Sequence, residues 1–277
     1  MMKRFLIACI AVLTVGAGCS SSEPNTAPPS SVATTTTTTL PPTLAPKPVE
    51  VVVDPIFRQG VAKTSAGWVF SFNDGLYLTD EAFTITKRVQ PAVPAPWKAK
   101  GFNHLGDIDV VDGVLYAPLE QPSRAGTQAM LQYDAATLTF QSGVEVAQHH
   151  ASFVTVDDGI AYSADFFSDR ALTRYDVTQK WKPLAPLALS KRIDRIQGAD
   201  IHEGFAYLST DDATDGVYRV DLETGKVLKL GALPRPVEGE GEGIDATPTA
   251  AGALHVLSAS LKIVPVWLVH LQLTSTP

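Results

Sequence analysis

Five short stretches of the chain carry side chains able to ligate, hydrogen bond or exchange protons. They are Gln59-Gly60, His104-Leu105-Gly106-Asp107, His149-His150, Gln197-Gly198 with Asp200, and Glu240-Gly241-Glu242-Gly243 with Asp245. Three chemistries suit such a set. His104, His150 and Glu242 combine imidazole with carboxylate, a donor set for a divalent cation such as Zn, Mn, Mg or water-bridged Ca. Asp107, Asp200 and Glu242 would supply the paired acids that glycoside hydrolysis needs. Gln197, His149, Glu240 and Trp97, which lies in the loop leading to His104, would instead bind a polar ligand and stack on it. The sequence holds no HExxH, paired CxxC or EF-hand loop. It also lacks a GxSxG elbow, so Ser152 beside His150 stands alone as a nucleophile candidate.

The spacing of these stretches follows a repeat. Anchored on glycine, Gly67 precedes WVFSF, Gly113 VLYAPL, Gly159 IAYSAD, Gly204 FAYLST and Gly252 ALHVLS, at intervals of 46, 46, 45 and 48 residues. Three residues past each glycine stands a ring: Phe70, Tyr116, Tyr162, Tyr207 and His255. A third apolar strand then ends on Asp80, Asp134, Asp176 or Asp221 in four of the copies, and a fourth strand comes after it. A period of about 40–50 residues with four short strands marks propeller blades. The last copy stops after its third strand, Pro265–Leu273, and Val49–Asp54 is positioned to supply the fourth and close the ring. The expectation is an all-β, five-bladed propeller over 48–277, its blades four-stranded and antiparallel.

In such a meander the turns between first and second strands lie on one face. These are tight here: Asp112-Gly113, Asp158-Gly159 and Glu203-Gly204. The opposite face collects longer polar connections, including Gln90–Asn103, Asp165–Arg170 and Pro234–Gly243. Loops lengthen where a rigid scaffold carries function. That face, where the five stretches arrive beside the axis, is the expected working face. Phe166-Phe167 sits there as an adjacent aromatic pair. Tyr116, Tyr162 and Tyr207 recur by blade and read as packing between blades.

Residues 1–19 read as a secretory signal, with Lys3-Arg4, an apolar core and Gly16-Ala17-Gly18 before Cys19. This segment resembles a bacterial lipoprotein signal, with Gly16 where that pattern prefers leucine, and it implies lipidation of Cys19 and anchorage to the outer face of the cell membrane. Cleavage removes Cys9 and leaves one thiol, so no internal disulfide forms. Residues 20–47, with Thr34–Thr39 and LPPTLAPK, hold too little apolar surface to fold and read as a tether. Such Thr-rich tethers look like those of actinobacterial surface proteins. Lys3 and Arg4 leave with the signal, so 22 basic residues become 20 against 29 acids, a net charge of −9. That balance disfavours nucleic acid. A monomer is expected.

The units GDIDVVDGVLYAPLE, GADIHEGFAYLSTDD and GVYRVDLETGKV resemble blades of secreted bacterial propellers, among them quinoprotein-like, gluconolactonase-like and lyase-type repeats. A gluconolactonase-like member implies a central divalent cation held by Glu, Asn and Asp. Glu242 and Asp200 match two of those types, and no asparagine takes the third place. The leading functional expectation is a propeller binding a small molecule, glycan, peptide or envelope protein through its axial loops. The alternative is a metal-dependent hydrolase or lyase on the axial His/Asp/Glu set.

Overall fold

The computed structural model describes residues 41–274 apart from 46, 122, 124, 125, 168, 235–238 and 261–264. The signal segment, Cys19 and the Thr run lie outside the described residues. Two strands, β1 (Thr43–Leu44) and β2 (Val49–Val53), precede the first blade in chain order. The first blade is β3 (Gly60–Thr64), β4 (Gly67–Phe72), β5 (Gly75–Thr79) and β6 (Ile85–Val89). A single helical turn, α1 (Ala95–Lys98), lies in the connection to the second blade. That blade comprises β7 (His104–Leu105), β8 (Asp109–Val111), β9 (Val114–Glu120), β10 (Gln128–Asp134) and β11 (Phe140–Val146), with β7 and β8 both on β9.

The third blade is β12 (Thr155–Asp157), β13 (Ile160–Ser163), β14 (Asp169–Asp176) and β15 (Lys182–Ile193). The fourth is β16 (Ile196–His202), β17 (Phe205–Thr210), β18 (Gly216–Asp221) and β19 (Val227–Ala232). The fifth holds β20 (Glu240–Asp245), β21 (Leu254–Ala259) and β22 (Val266–Leu271), with β2 pairing β22 as its outer strand. The ring therefore closes as the sequence predicts. One addition precedes it: β1, within the stretch read as tether, pairs antiparallel with β23 (Leu273–Thr274). Leu44 makes this strand worth forming, because it packs beside Gly231 and the apolar residues shared by the last two blades.

Local chemistry explains the turns. Asp112, Asp158 and Glu203 have φ of 50°, 46° and 50°, and the glycines after them 78°, 73° and 77°. Left-handed φ at both central residues is the type I′ geometry that matches strand twist in two-residue hairpins. The recurrent Asp at the end of each third strand builds the next turn. Asp80 Oδ1 accepts from the Ala82 and Thr84 N–H groups, Asp134 from Thr137, Asp176 from Gln179 and Asp221 from Glu223 and Thr224. A carboxylate that accepts local N–H groups in this way replaces a backbone turn partner.

Alternation along each strand sends one face to the preceding blade and the other to the next. Five apolar clusters result, one per seam. Tyr116, for example, packs with Val154 and Tyr175 of the third blade, Tyr162 with residues of the fourth, and Tyr207 with residues of the fifth. Each such side chain withdrawn from water contributes about 1.5–3 kcal/mol. The first blade needs a correction. Gly67 is the first residue of β4, paired with Thr64, whereas Gly113, Gly159 and Gly204 are the second residues of their turns. Aligning on glycine thus slips the first blade by one residue, which reverses the face. Val69 is the true counterpart of Tyr116 and faces the second blade. Phe70 faces the fifth, stacked on Phe57 with centroids 4.1 Å apart.

Candidate functional site

The first strands β3, β8, β12, β16 and β20 touch in cyclic order around the axis. Backbone from five blades meets there, and its N–H groups need acceptors. Asp107 supplies them. Between the pairs Leu105–Leu119 and Asp109–Tyr116 the inner strand has three residues against two on β9, a bulge that places Asp107 as the extra residue. Its carboxylate points into the axis. Oδ1 accepts from Val61 N–H at 3.1 Å and Ile108 N–H at 3.0 Å, and Oδ2 from Ala199 at 3.1 Å and Ile244 at 3.2 Å. Its own N–H donates to Ser152 O and its carbonyl accepts from Val154, which ties in the third blade. One residue thus bonds to all five blades. Gly198 and Gly243 make room: a Cβ on either would sit 2.4 or 2.3 Å from an Asp107 oxygen.

Three more acids repeat this device below Asp107. Asp109 accepts from Val156 N–H (2.7 Å), Asp200 from Ala246 (2.7 Å) and Asp245 from Lys63 (2.6 Å), each reaching the next blade in the ring. Thr155 hydrogen bonds to both Asp109 and Asp200. Burial pushes these carboxyls up: Asp107 and Asp109 well above the usual range, Asp200 raised, and Asp245 to about 8, with Asp200 as a repelling neighbour.

Above Asp107 the axis opens, on the face of the long loops, into a cavity of about 860 Å³. Strand starts bring His104, Gln197, Glu240 and Glu242 to it. Strand ends bring Phe72 and Glu120, and loops bring Arg58, Gln59, Asn73, Asn103, Gln121, His150 and Phe166. Five of these are side-chain amides, each able both to donate and to accept.

Two carboxyls of this wall are driven apart. Glu120, opposite His104 in the ladder, lies with Oε1 2.6 Å from His150 Nδ1 and accepts from Ala151 N–H at 2.6 Å. The His150 contact is short but off the line of a well-directed hydrogen bond. Burial acts to raise Glu120. The close His150 ring and its charge, the Ala151 N–H and the His104 charge together outweigh it and leave the carboxyl below its ordinary range. Glu242 goes the other way. Burial raises it well above that range, Gln59 Nε2 donating at 3.0 Å offsets part of this, and neighbouring Glu240 adds to the rise. Folding thus shifts the two acids in opposite senses, Glu120 toward the ionised form and Glu242 toward the protonated one.

His104, Asp107, His150, Gln197, Glu240 and Glu242 therefore share one cavity, with Asp107 as its floor. Three residues of the expected set lie elsewhere. Asp200 bonds backbone below the floor. His149 is solvent-exposed, its carbonyl accepting from Gln128 at 2.8 Å. Trp97 packs edge-on against Phe102 at 5.6 Å and covers the second blade. An aromatic in a long loop can cap its own blade as readily as it can reach the axis. A divalent cation does not fit the donor placement: among the described residues no three His, Cys, Asp or Glu side chains are positioned to hold one.

Sequence reasoning missed Glu120, and a signal for it existed. Seven residues past the turn glycine stand Glu120, Phe166 and Asp211, and all three line cavities on this face. The station closes an apolar strand, which disguises it.

No protein-family model and no curated protein matches the sequence. Among solved structures the fold is similar to the glutaminyl cyclase of Myxococcus xanthus, with a TM-score of 0.58 and 12% identity over 84% of this chain and 97% of that one. At that identity the likeness carries the five-bladed propeller fold alone.

Proposed function

We propose that this protein is a cell-envelope propeller that binds a hydroxyl-rich polar ligand in its axial cavity. The observation that carries the reading is the cavity itself: about 860 Å³, within the range of ligand sites, floored by a self-satisfied Asp107 and walled by amides and acids with rings at Phe72 and Phe166. Lipidation of Cys19 would hold the domain at the outer face of the membrane. The chain enters the described fold at β1 and the start of β2. Val49 at that start pairs with His270, at the end of the ring opposite the cavity.

A ligand that binds only the folded chain raises its melting temperature by mass action. The full chain, screened by thermal shift against sugars, amines and peptides, should respond to sugars. Glu120→Gln and Glu242→Gln should each weaken the binding about tenfold or more while leaving the fold intact. Unchanged binding in both variants would place the ligand elsewhere.

A second reading rests on the opposed carboxyls. Two acids in one pocket, one shifted toward the protonated form and the other toward the ionised, are the arrangement of a general acid and a general base. Glu242 would donate a proton and Glu120, steadied by His150, would accept one, with no step through a metal. The likeness to a glutaminyl cyclase makes cyclisation of a glutaminyl substrate the first reaction to assay. Turnover lost in Glu242→Gln with substrate binding retained would favour this enzyme over the binding propeller.

A further inference from the structure

A second cavity, of about 840 Å³, opens beside the axial one on the same face. Phe166 lines both, so the two are neighbours across one ring. That ring is held between His150, with centroids 5.4 Å apart at 28°, and the Arg195 guanidinium 5.1 Å away. Phe167 stands edge-on to it at 5.1 Å and leaves 60% of its own surface exposed. Exposed beside a ligand-sized cavity, the Phe167 ring is available for stacking. Both arginines around it are paired within the protein: Arg192 with Asp194 at 2.6 Å, Arg195 with Asp211. Asp212 accepts from Thr214, Gly216 and Tyr218 of its own loop. The second cavity offers an aromatic platform among polar groups, with two arginines against four aspartates in its lining.

We propose that the ligand is an oligosaccharide, its terminal unit in the axial cavity and its later units crossing Phe166 to stack on Phe167 in the second cavity. The inference deepens the binding reading and rests on it. Sugar hydroxyls each donate and accept, as do the amides of Gln59, Asn73 and Gln197, and the C–H faces of sugar rings pack on aromatic rings. A peptide bound by strand addition would want a free edge for its backbone, and the cavities are lined by strand ends and loops instead.

The test is isothermal titration of the full chain with β-1,4-linked glucose and N-acetylglucosamine oligomers of one to six units, beside unbranched peptides of matching length. Affinity should rise with length in at least one sugar series, by about tenfold in all, the worth of one good aromatic contact. Phe167→Ala, an exposed substitution that leaves folding alone, should erase that gain and spare the shortest binder. Gln197→Ala should weaken every length. Length-independent binding, or a gain untouched by Phe167→Ala, overturns the two-cavity ligand while the axial reading stands. Peptides binding in place of sugars overturn the saccharide class. No binding by any probe overturns both readings.

Discussion

The axis of this propeller carries two sets of acids that sequence alone would not separate. Asp107, Asp109, Asp200 and Asp245 lie on the first strands, and so does Glu242; all are buried. The aspartates accept backbone N–H groups from neighbouring blades, so their carboxylates are consumed by the fold. Glu242 accepts from the Gln59 side chain, and Glu120 from the Ala151 N–H with His150 close beside it, at the wall of a cavity. Burial raises the acids of both sets except Glu120, which a histidine holds down. What tells structural from functional carboxylate here is the surroundings: backbone of neighbouring blades packed about the aspartates, an open cavity beside Glu120 and Glu242.

The most severe challenge to that distinction is Asp107→Ala. It strands the N–H groups of Val61, Ile108, Ala199 and Ile244 in a dry axis, each at about 1–3 kcal/mol. A loss of about 4 kcal/mol or more in urea unfolding is expected. Gly198→Ala should approach the same loss from the other direction, since its Cβ would meet Asp107 Oδ2 at 2.4 Å and Gly243 Cα at 2.7 Å. Glu242→Gln, by contrast, should leave stability nearly unchanged or improved. If Asp107→Ala unfolds no more easily than Glu242→Gln, the division between the two sets collapses.

The repeat made the architecture legible because every blade must solve the same problem. Asp-Gly turns need left-handed φ, third-strand aspartates build the turn after them, and a last blade one strand short demands Val49–Val53. The axial knot was not legible, since the donors to Asp107 come from residues 46, 92 and 137 positions away as well as from its neighbour. Nor does the sequence show that Gly198 and Gly243 are clearance for the carboxylate that plugs the axis. Glu120 hid because burial at the end of VLYAPLE resembles core. Trp97 misled because sequence places a loop in order but not in direction.

Titration gives a smaller, cleaner separation. An acid raised on folding binds its proton more tightly in the folded state. Its contribution is fully present below the unfolded value, about 3.9 for aspartate, and is lost as pH rises through the folded one. For Asp245 that folded value is about 8. Stability in urea should therefore fall between about pH 4 and about pH 8, and Asp245→Asn should flatten the upper part of the fall. Glu120, lowered on folding, works in the opposite sense. Its contribution is present above the unfolded value, about 4.3, and disappears as pH drops through its folded one. Glu120→Gln should then leave the alkaline fall intact and alter only the acid limb. A single curve shared by both variants would mean the two sets titrate as one.

The smallest effect comes from a glycine outside both sets. Gly204 has φ of 77°, and a Cβ there would meet nothing within 4 Å. Gly204→Ala therefore carries only the left-handed strain of an L-residue, about 1 kcal/mol, or about 2–4 °C in melting temperature for a domain of this size. Gly198 carries no such strain; its requirement is space beside Asp107. The pair separates the two reasons a repeat protein keeps glycine. Alanine at 204 should cost a fixed increment that an asparagine, tolerant of the left-handed region, recovers in part. Alanine at 198 should cost several times more and be eased only when Asp107 is shortened as well. Equal penalties at the two positions would mean that the axial carboxylate does not fill the space that Gly198 leaves open.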